Sequence, residues 1–253
     1  MIADPKICYI CGNPLSKKKQ ENGDDHVPPK QFYSKEIRSS KGFPHLFTLP
    51  THKKCNEAYS SDEQYFTHAL LPIAVDSYTG RSLWNEIGRQ YNEGKNIPLL
   101  KKSFAEISQR PSGLYLPGYD VVKYFDPQRV WRVIWKIHRG LFFYHYGTFL
   151  PEETPRGFDI TSPNHNPPRT FDLVRSEPGH GVYSSVFDYK FKAFDLPKEP
   201  KRFHVWAMLF WDEIITLTGF HDPSCACEVC KKERQDNPEF WMSEKEYNEM
   251  RVE

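Results

Sequence analysis

The chain has 253 residues, 38% hydrophobic and 15% aromatic, enough to fill the core of one large domain or of a small one joined to a larger one. A formal charge of +1 excludes a polybasic nucleic-acid coat, and the longest apolar run, Ala69 to Val75, falls far short of the roughly 20 residues of a membrane helix. The opening MIADPKICYI has no basic flank and apolar signal core, so a cytoplasmic protein with reduced thiols is expected, and its six cysteines read as metal ligands rather than disulfides.

Charge is uneven along the chain: residues 1–56 carry ten Lys and Arg against five Asp and Glu, a local excess of five. Within that stretch, Cys8 and Cys11 flank Tyr9 and Ile10, with Gly12 next, the pattern of a zinc knuckle. A redox dithiol is the rival reading, but Asn13-Pro14 forces a turn where such a motif would open a helix. The loop Lys17 to Asp25 is polar, and its Lys17-Lys18-Lys19 run suits phosphate contacts. Asp25-His26-Val27-Pro28-Pro29-Lys30 reads as the end of a short strand leaving into a loop. Strand alternation sends Asp25 and His26 to opposite sides, so for both to serve one reaction the acid binds a metal while the histidine addresses a water from another direction.

Phe47 to Leu49 is expected as a second strand ending at Pro50, with Thr51 capping a helix that carries His52, Cys55 and Asn56. His52 and Cys55, three apart on one helical face, can close a tetrahedral zinc site with Cys8 and Cys11. Asn56, rotated by about 100°, faces elsewhere and can offer its amide oxygen to a harder ion near Asp25.

The order CxxCG, DHVPPK, HLFTLP, HxxCN and SxDEQYF resembles the HNH endonuclease family, the ββα-metal nucleases, in its zinc-stapled bacterial and phage members. The resemblance covers roughly residues 8–66. It implies that Asp25 and Asn56 ligate a catalytic Mg²⁺ or Mn²⁺, that His26 is the general base, and that Zn²⁺ is structural. His45 stands where relatives usually have the Asn that orients the base, and His52 where many have Cys.

Further on, Thr67 to Ala74 continues a helix and Arg81 to Tyr91 forms another, with Leu83, Ile87 and Tyr91 as its apolar stripe. Gly94 to Pro98 is read as a break and Pro111 to Asp120 as a loop. Asp126-Pro127 opens the clearest helix, with Val130, Ile134, Ile137 and Leu141 on one face and Gly147 as its stop. In it His138, Arg139 and His145 read as core or boundary residues. Phe187, Tyr189, Phe191 and Ala193 alternate with polar neighbours as a strand, with Arg169 to Arg175 as its partner. Phe203 to Thr218 is read as a helix with Val205, Met208, Leu209 and Ile215 inward and Gly219 as its stop. His221, Cys225, Cys227 and Cys230 are four zinc-competent ligands within ten residues. So compact a set either makes a cramped second zinc site, joins distant ligands or stays free. Lys231 to Glu253 reads as a charged terminal helix.

The expected fold class is α+β: a small N-terminal ββα unit with structural zinc, residues 1–70, a larger mixed helical and antiparallel β domain for specificity or interaction, 71–220, and a Cys-containing charged tail, 221–253. The expected function is hydrolysis of DNA phosphodiester bonds, by a one-metal mechanism with a histidine base, in a setting such as genome defence. An RNA-cleaving relative and a non-catalytic zinc-stabilised module that binds nucleic acid or protein are the alternatives. The expected partner is nucleic acid, DNA before RNA, with no membrane, and a homodimer or partner protein would serve double-strand cutting.

Overall fold

The computed structural model describes residues 7–108, 114–115, 122–152, 154, 156–163, 168–195 and 202–221. It is a mixed α+β molecule in which every sheet is antiparallel. The turn Cys8 to Asn13 comes first, closed by Cys8 N–H to the Asn13 carbonyl at 2.9 Å. Strand β1 (Asn22–His26), the short α1 (Lys35–Arg38), β2 (Thr48–His52), α2 (Lys53–Glu57) and α3 (Ser60–Leu70) follow. β1 and β2 pair antiparallel, with Asp25 opposite Leu49 and His26 opposite Thr48.

Two expectations fail here for one reason. β2 does not end at Pro50 but runs to His52, and Thr51 lies within it rather than capping a helix. The Pro50 carbonyl accepts Tyr9 N–H at 3.2 Å, on the side away from β1. In an antiparallel pair a residue's two backbone groups point the same way, so proline's missing N–H costs the ladder nothing. His52 is the residue before α2, extended at φ −74° and ψ 139°, and no side chain caps that helix.

Next comes α4 (Tyr78–Asn92), with Leu83 and Ile87 buried as its stripe requires and the Ser77 hydroxyl accepting Gly80 N–H at its start. The expected break is shorter than Gly94 to Pro98, because Pro98 sits in the first turn of α5 (Ile97–Ala105), where its fixed φ suits a helix. The two-residue strands β3 (Ile107–Ser108), β4 (Leu114–Tyr115) and β5 (Val122–Lys123) form a small sheet; the rest of the loop 111–120 lies outside the described residues.

Helix α6 (Pro127–Tyr146) is central. The Asp126 side chain accepts Arg129 N–H, Pro127 occupies the first turn, and Gly147 ends it at φ +68°. From Val133 to Phe143 every residue is buried, because both flanks are covered. On one side Gly140 meets Val27, just after β1, and Leu49 of β2 so closely that an added Cβ would lie 2.7 Å from Val27 Cγ2. On the other, Trp131 stacks on Phe158 at 4.9 Å and Trp135 meets Phe220 edge-on at 5.7 Å.

Those aromatics belong to a four-stranded sheet of β6 (Arg156–Thr161), β7 (Phe187–Asp195), β8 (Arg202–Phe210) and β9 (Ile214–His221), in the order β6-β9-β8-β7. The helix expected over Phe203 to Thr218 is thus the β8–β9 hairpin, turning at Trp211 and Asp212, both at positive φ, as a I′-type turn requires. Gly219 lies within β9 and stops nothing. The helix reading failed because β8 is buried on both faces. Trp206, Met208 and Phe210 join the main core, while Val205 and Ala207 join a second cluster with Val174, Ile215 and Leu217, which leaves an unbroken apolar run without a period of two. The partner of β7 is likewise β8, not Arg169 to Arg175. Residues Arg169–Leu173 form a 3₁₀ turn, and the residues after it are tied to β7 by Lys190 Nζ on the Arg175 carbonyl and a 2.7 Å Lys192–Glu177 ion pair.

Candidate metal centre and adjoining cleft

The knuckle works because Gly12 adopts φ +72° and its N–H reaches back to the Cys8 carbonyl at 2.8 Å, turning both thiols the same way. Its lack of a side chain also admits Phe149, whose ring would lie 2.8 Å from a Cβ there. Thiols of Cys8, Cys11 and Cys55 and a ring nitrogen of His52 all lie within 4.8 Å of one another. His52 Nδ1 stands 3.4 Å from Cys11 Sγ and 3.8 Å from Cys55 Sγ. A zinc tetrahedron with bonds of about 2.0–2.3 Å has edges of roughly 3.5–3.8 Å, so this donor set fits Zn²⁺. The other ring nitrogen, Nε2, donates to the Pro14 carbonyl at 3.1 Å, which fixes the tautomer that leaves Nδ1 free to ligate.

Electrostatics agree with the geometry. Burial would raise the Cys8 thiol, but bonds from the Thr51 hydroxyl and from backbone N–H groups, that of His52 first, outweigh it and bring the group to about 7. Burial first, then the charge of Cys8 and Cys11, pushes Cys55 up to about 12. Thiolates crowded in this way need a cation between them. With four protein ligands such a zinc would keep no open position, so it would staple the knuckle to β2 and α2 rather than do chemistry.

The turn of α2 that aims Cys55 at the thiols aims Asn56 the other way, into an open cleft of about 330 Å³. Asp24, Asp25, His26, Lys30, Asn56 and Glu63 line it, with Gln31 and Ser60. Asp25 is buried and held on one oxygen, Oδ2, which accepts a short bond from the Tyr9 hydroxyl and lies 2.7 Å from Lys136 Nζ. Burial, then the Asp25 charge, holds Tyr9 well above its usual range, so it stays protonated and donating. Lys136 Nζ also donates to Asn56 Oδ1 at 2.8 Å and to Glu63 Oε1. Glu63 Oε2 in turn accepts from Gln31 Nε2 at 3.1 Å. Burial raises Glu63 above the usual carboxylate range despite Lys136.

His26 is half-buried on the cleft wall, and burial first, then Lys30, holds its ring below the ordinary 6.5, so near neutral pH it is an uncharged base. Alternation is obeyed, since Asp25 is buried and His26 is on the opposite side of the strand, yet the cleft at the strand's end takes in both. His45 is exposed in the loop before β2 and does not line the cleft. His221 is buried at the end of β9 against Phe203, while Cys225, Cys227, Cys230 and the tail from Lys231 lie outside the described residues.

Core assignments in α6 hold. His138 is fully buried among Trp135, Trp206 and Phe220, neither ring nitrogen has a partner among the described residues, and burial pushes it down to about 3. Arg139 donates to the Leu150 carbonyl, and His145 pairs with the Tyr189 hydroxyl at 2.8 Å.

A divalent ion at Asp25 and Asn56 meets an obstacle. An ion about 2.1 Å from the oxygens that Lys136 holds lies less than about 5 Å from its ammonium. At an effective dielectric constant of about 20 that repulsion amounts to several kcal/mol. An ion bridging Asp25 Oδ2 and Asn56 Oδ1 therefore does not fit while Lys136 is in place.

Sequence reasoning gave no role to Tyr9, Lys30, Glu63 or Lys136. A signal existed for one of them: Lys136 interrupts the buried stripe of Val133, Ile137 and Gly140, which demands a partner. Compared with protein-family models, curated proteins and solved structures, the chain matches none. Among the described residues, no helix is long and apolar enough to cross a membrane.

Proposed function

We propose that the chain is an endonuclease that hydrolyses DNA phosphodiester bonds in the cleft, with His26 as general base. The observation that carries this reading is the meeting of an uncharged, half-buried His26 with the Lys30 ammonium on one open wall, directly beside a thiol–imidazole cluster suited to zinc. In this scheme His26 takes a proton from water as its oxygen attacks phosphorus, and the ester P–O bond in line with it breaks. Lys30 meets the charge that grows on the phosphate oxygens, and the departing alkoxide takes a proton from solvent. Asp25, fixed by Tyr9 and Lys136, holds the strand end that carries His26. Cys8, Cys11, His52 and Cys55 would hold a zinc that supplies folding energy to the strands and helix bearing these groups.

The reading could take a form with an ion at Asp25 and Asn56 or one without, and the ion pair and hydrogen bond that Lys136 makes with those two residues favour the second. Phosphate chemistry does not report the sugar, so RNA is the competing substrate. Supercoiled plasmid, linear duplex, single-stranded DNA and RNA of matched sequence, incubated side by side with the zinc-loaded chain, decide the matter. Cleavage of DNA before RNA is expected, and an intact set of all four would refute the nuclease reading.

A further inference from the structure

The buried network behind the cleft has a chemistry of its own. Three oxygens from three elements, Asp25 Oδ2 on β1, Asn56 Oδ1 on α2 and Glu63 Oε1 on α3, converge on one point. Carboxylate and amide oxygens gathered in this way form a donor set for a hard cation. The point is filled by Lys136 Nζ, carried on α6 some eighty residues further along the chain. Of the ammonium's three donors, two go to Asn56 and Glu63 in hydrogen bonds, and Asp25 Oδ2 faces it as an ion pair at 2.7 Å. Its side chain is 2% exposed and lies 5.5 Å from the Tyr59 ring, so water does not compete for it. Two carboxylates sharing a buried site repel unless a cation lies between them, and Lys136 supplies that charge without leaving the chain.

We propose that Lys136 is the resident cation of this site: its ammonium takes the coordination place among Asp25, Asn56 and Glu63, and no divalent ion is held by these oxygens while it is there. Lys136 is a positioning residue, since it touches the three oxygens and does not line the cleft. One corollary rests on the nuclease reading, that cleavage proceeds without added Mg²⁺. The site assignment itself goes beyond that reading.

The test is titration of the zinc-loaded full chain with Mn²⁺, following free Mn²⁺ by electron paramagnetic resonance, for wild type, Asp25→Asn, Lys136→Met and the double variant. Wild type and Asp25→Asn should give the same curve. Lys136→Met, which keeps the length of the side chain and removes its charge, should gain one site at least tenfold tighter than any in wild type, and the double variant should lose it. A wild-type site that Asp25→Asn abolishes would overturn the proposal, as would a folded Lys136→Met that gains none. Should Lys136→Met fail to fold, as circular dichroism would reveal, the wild-type and Asp25→Asn pair decides alone. Nicking with and without added Mg²⁺ separates the two ideas: absence of any cleavage alongside the expected Mn²⁺ curves sinks the nuclease reading and leaves Lys136 assigned.

Discussion

At the scale of single residues, the cleft depends on what surrounds each titrating group. His26 has its pKa lowered by burial and Lys30, with Asp25 and Asp24 opposing more weakly. A base acts when deprotonated, so a lowered pKa makes the active form available at lower pH. The cleavage rate should rise with pH through a midpoint below 6.5 and be level at neutral pH. Single-turnover rates across pH 4.5–8 check this, and a midpoint above 6.5 would contradict it. The same residues mark what the sequence disclosed and what it hid. Cys8, Cys11, His52 and Cys55 were legible because soft ligands at short spacings, two pairs of them, carry the pattern of a zinc site. The pairing of Lys136 with Glu63 was not, because they meet across 73 positions of sequence: Lys136 in a buried stripe demands a partner without naming it, and Glu63 reads locally as an ordinary charged helix residue.

Elements were legible where their ends carried chemistry. α6 announced itself through Asp126, Pro127 and Gly147, and all three act as caps and stops. β8 and β9 lack such a signal. Their turn uses Trp211 and Asp212 at positive φ where glycine or asparagine would have marked it, and burial on both faces erases alternation. Two predictions belong here. Gly140→Ala should raise the helix propensity of α6 by up to about 1 kcal/mol, yet its Cβ would press on Val27 and Leu49. Overpacking costs about 1–3 kcal/mol, so the clash wins, and the melting temperature should fall by several degrees in a calorimetric scan. Cys11→Ser removes one ligand of the candidate zinc. Loss of a structural metal ligand is among the few changes that cost several kcal/mol, so zinc content should fall below one per chain and melting drop by roughly 10 °C.

At the scale of the molecule, one apolar cluster runs from Cys8 in the knuckle to Phe220 in the last strand. The link is specific as well as apolar. Trp211, at the tip of the β8–β9 hairpin, donates its indole N–H to the Phe32 carbonyl at 3.0 Å, and its ring lies 5.5 Å from that of Phe32. The sheet thereby grips the loop that follows His26, while α6 delivers Lys136 to the buried network behind the same cleft. The later part of the chain therefore builds the site as well as surrounding it, which residues 8–66 taken alone could not disclose. Whether the site cuts is decided most directly by the rate at which supercoiled plasmid is nicked by wild type and by His26→Ala at equal zinc content. General-base catalysis contributes about 10²–10⁴-fold, so the variant should be at least a hundredfold slower. Equal rates, or nicking by neither protein, would contradict the account.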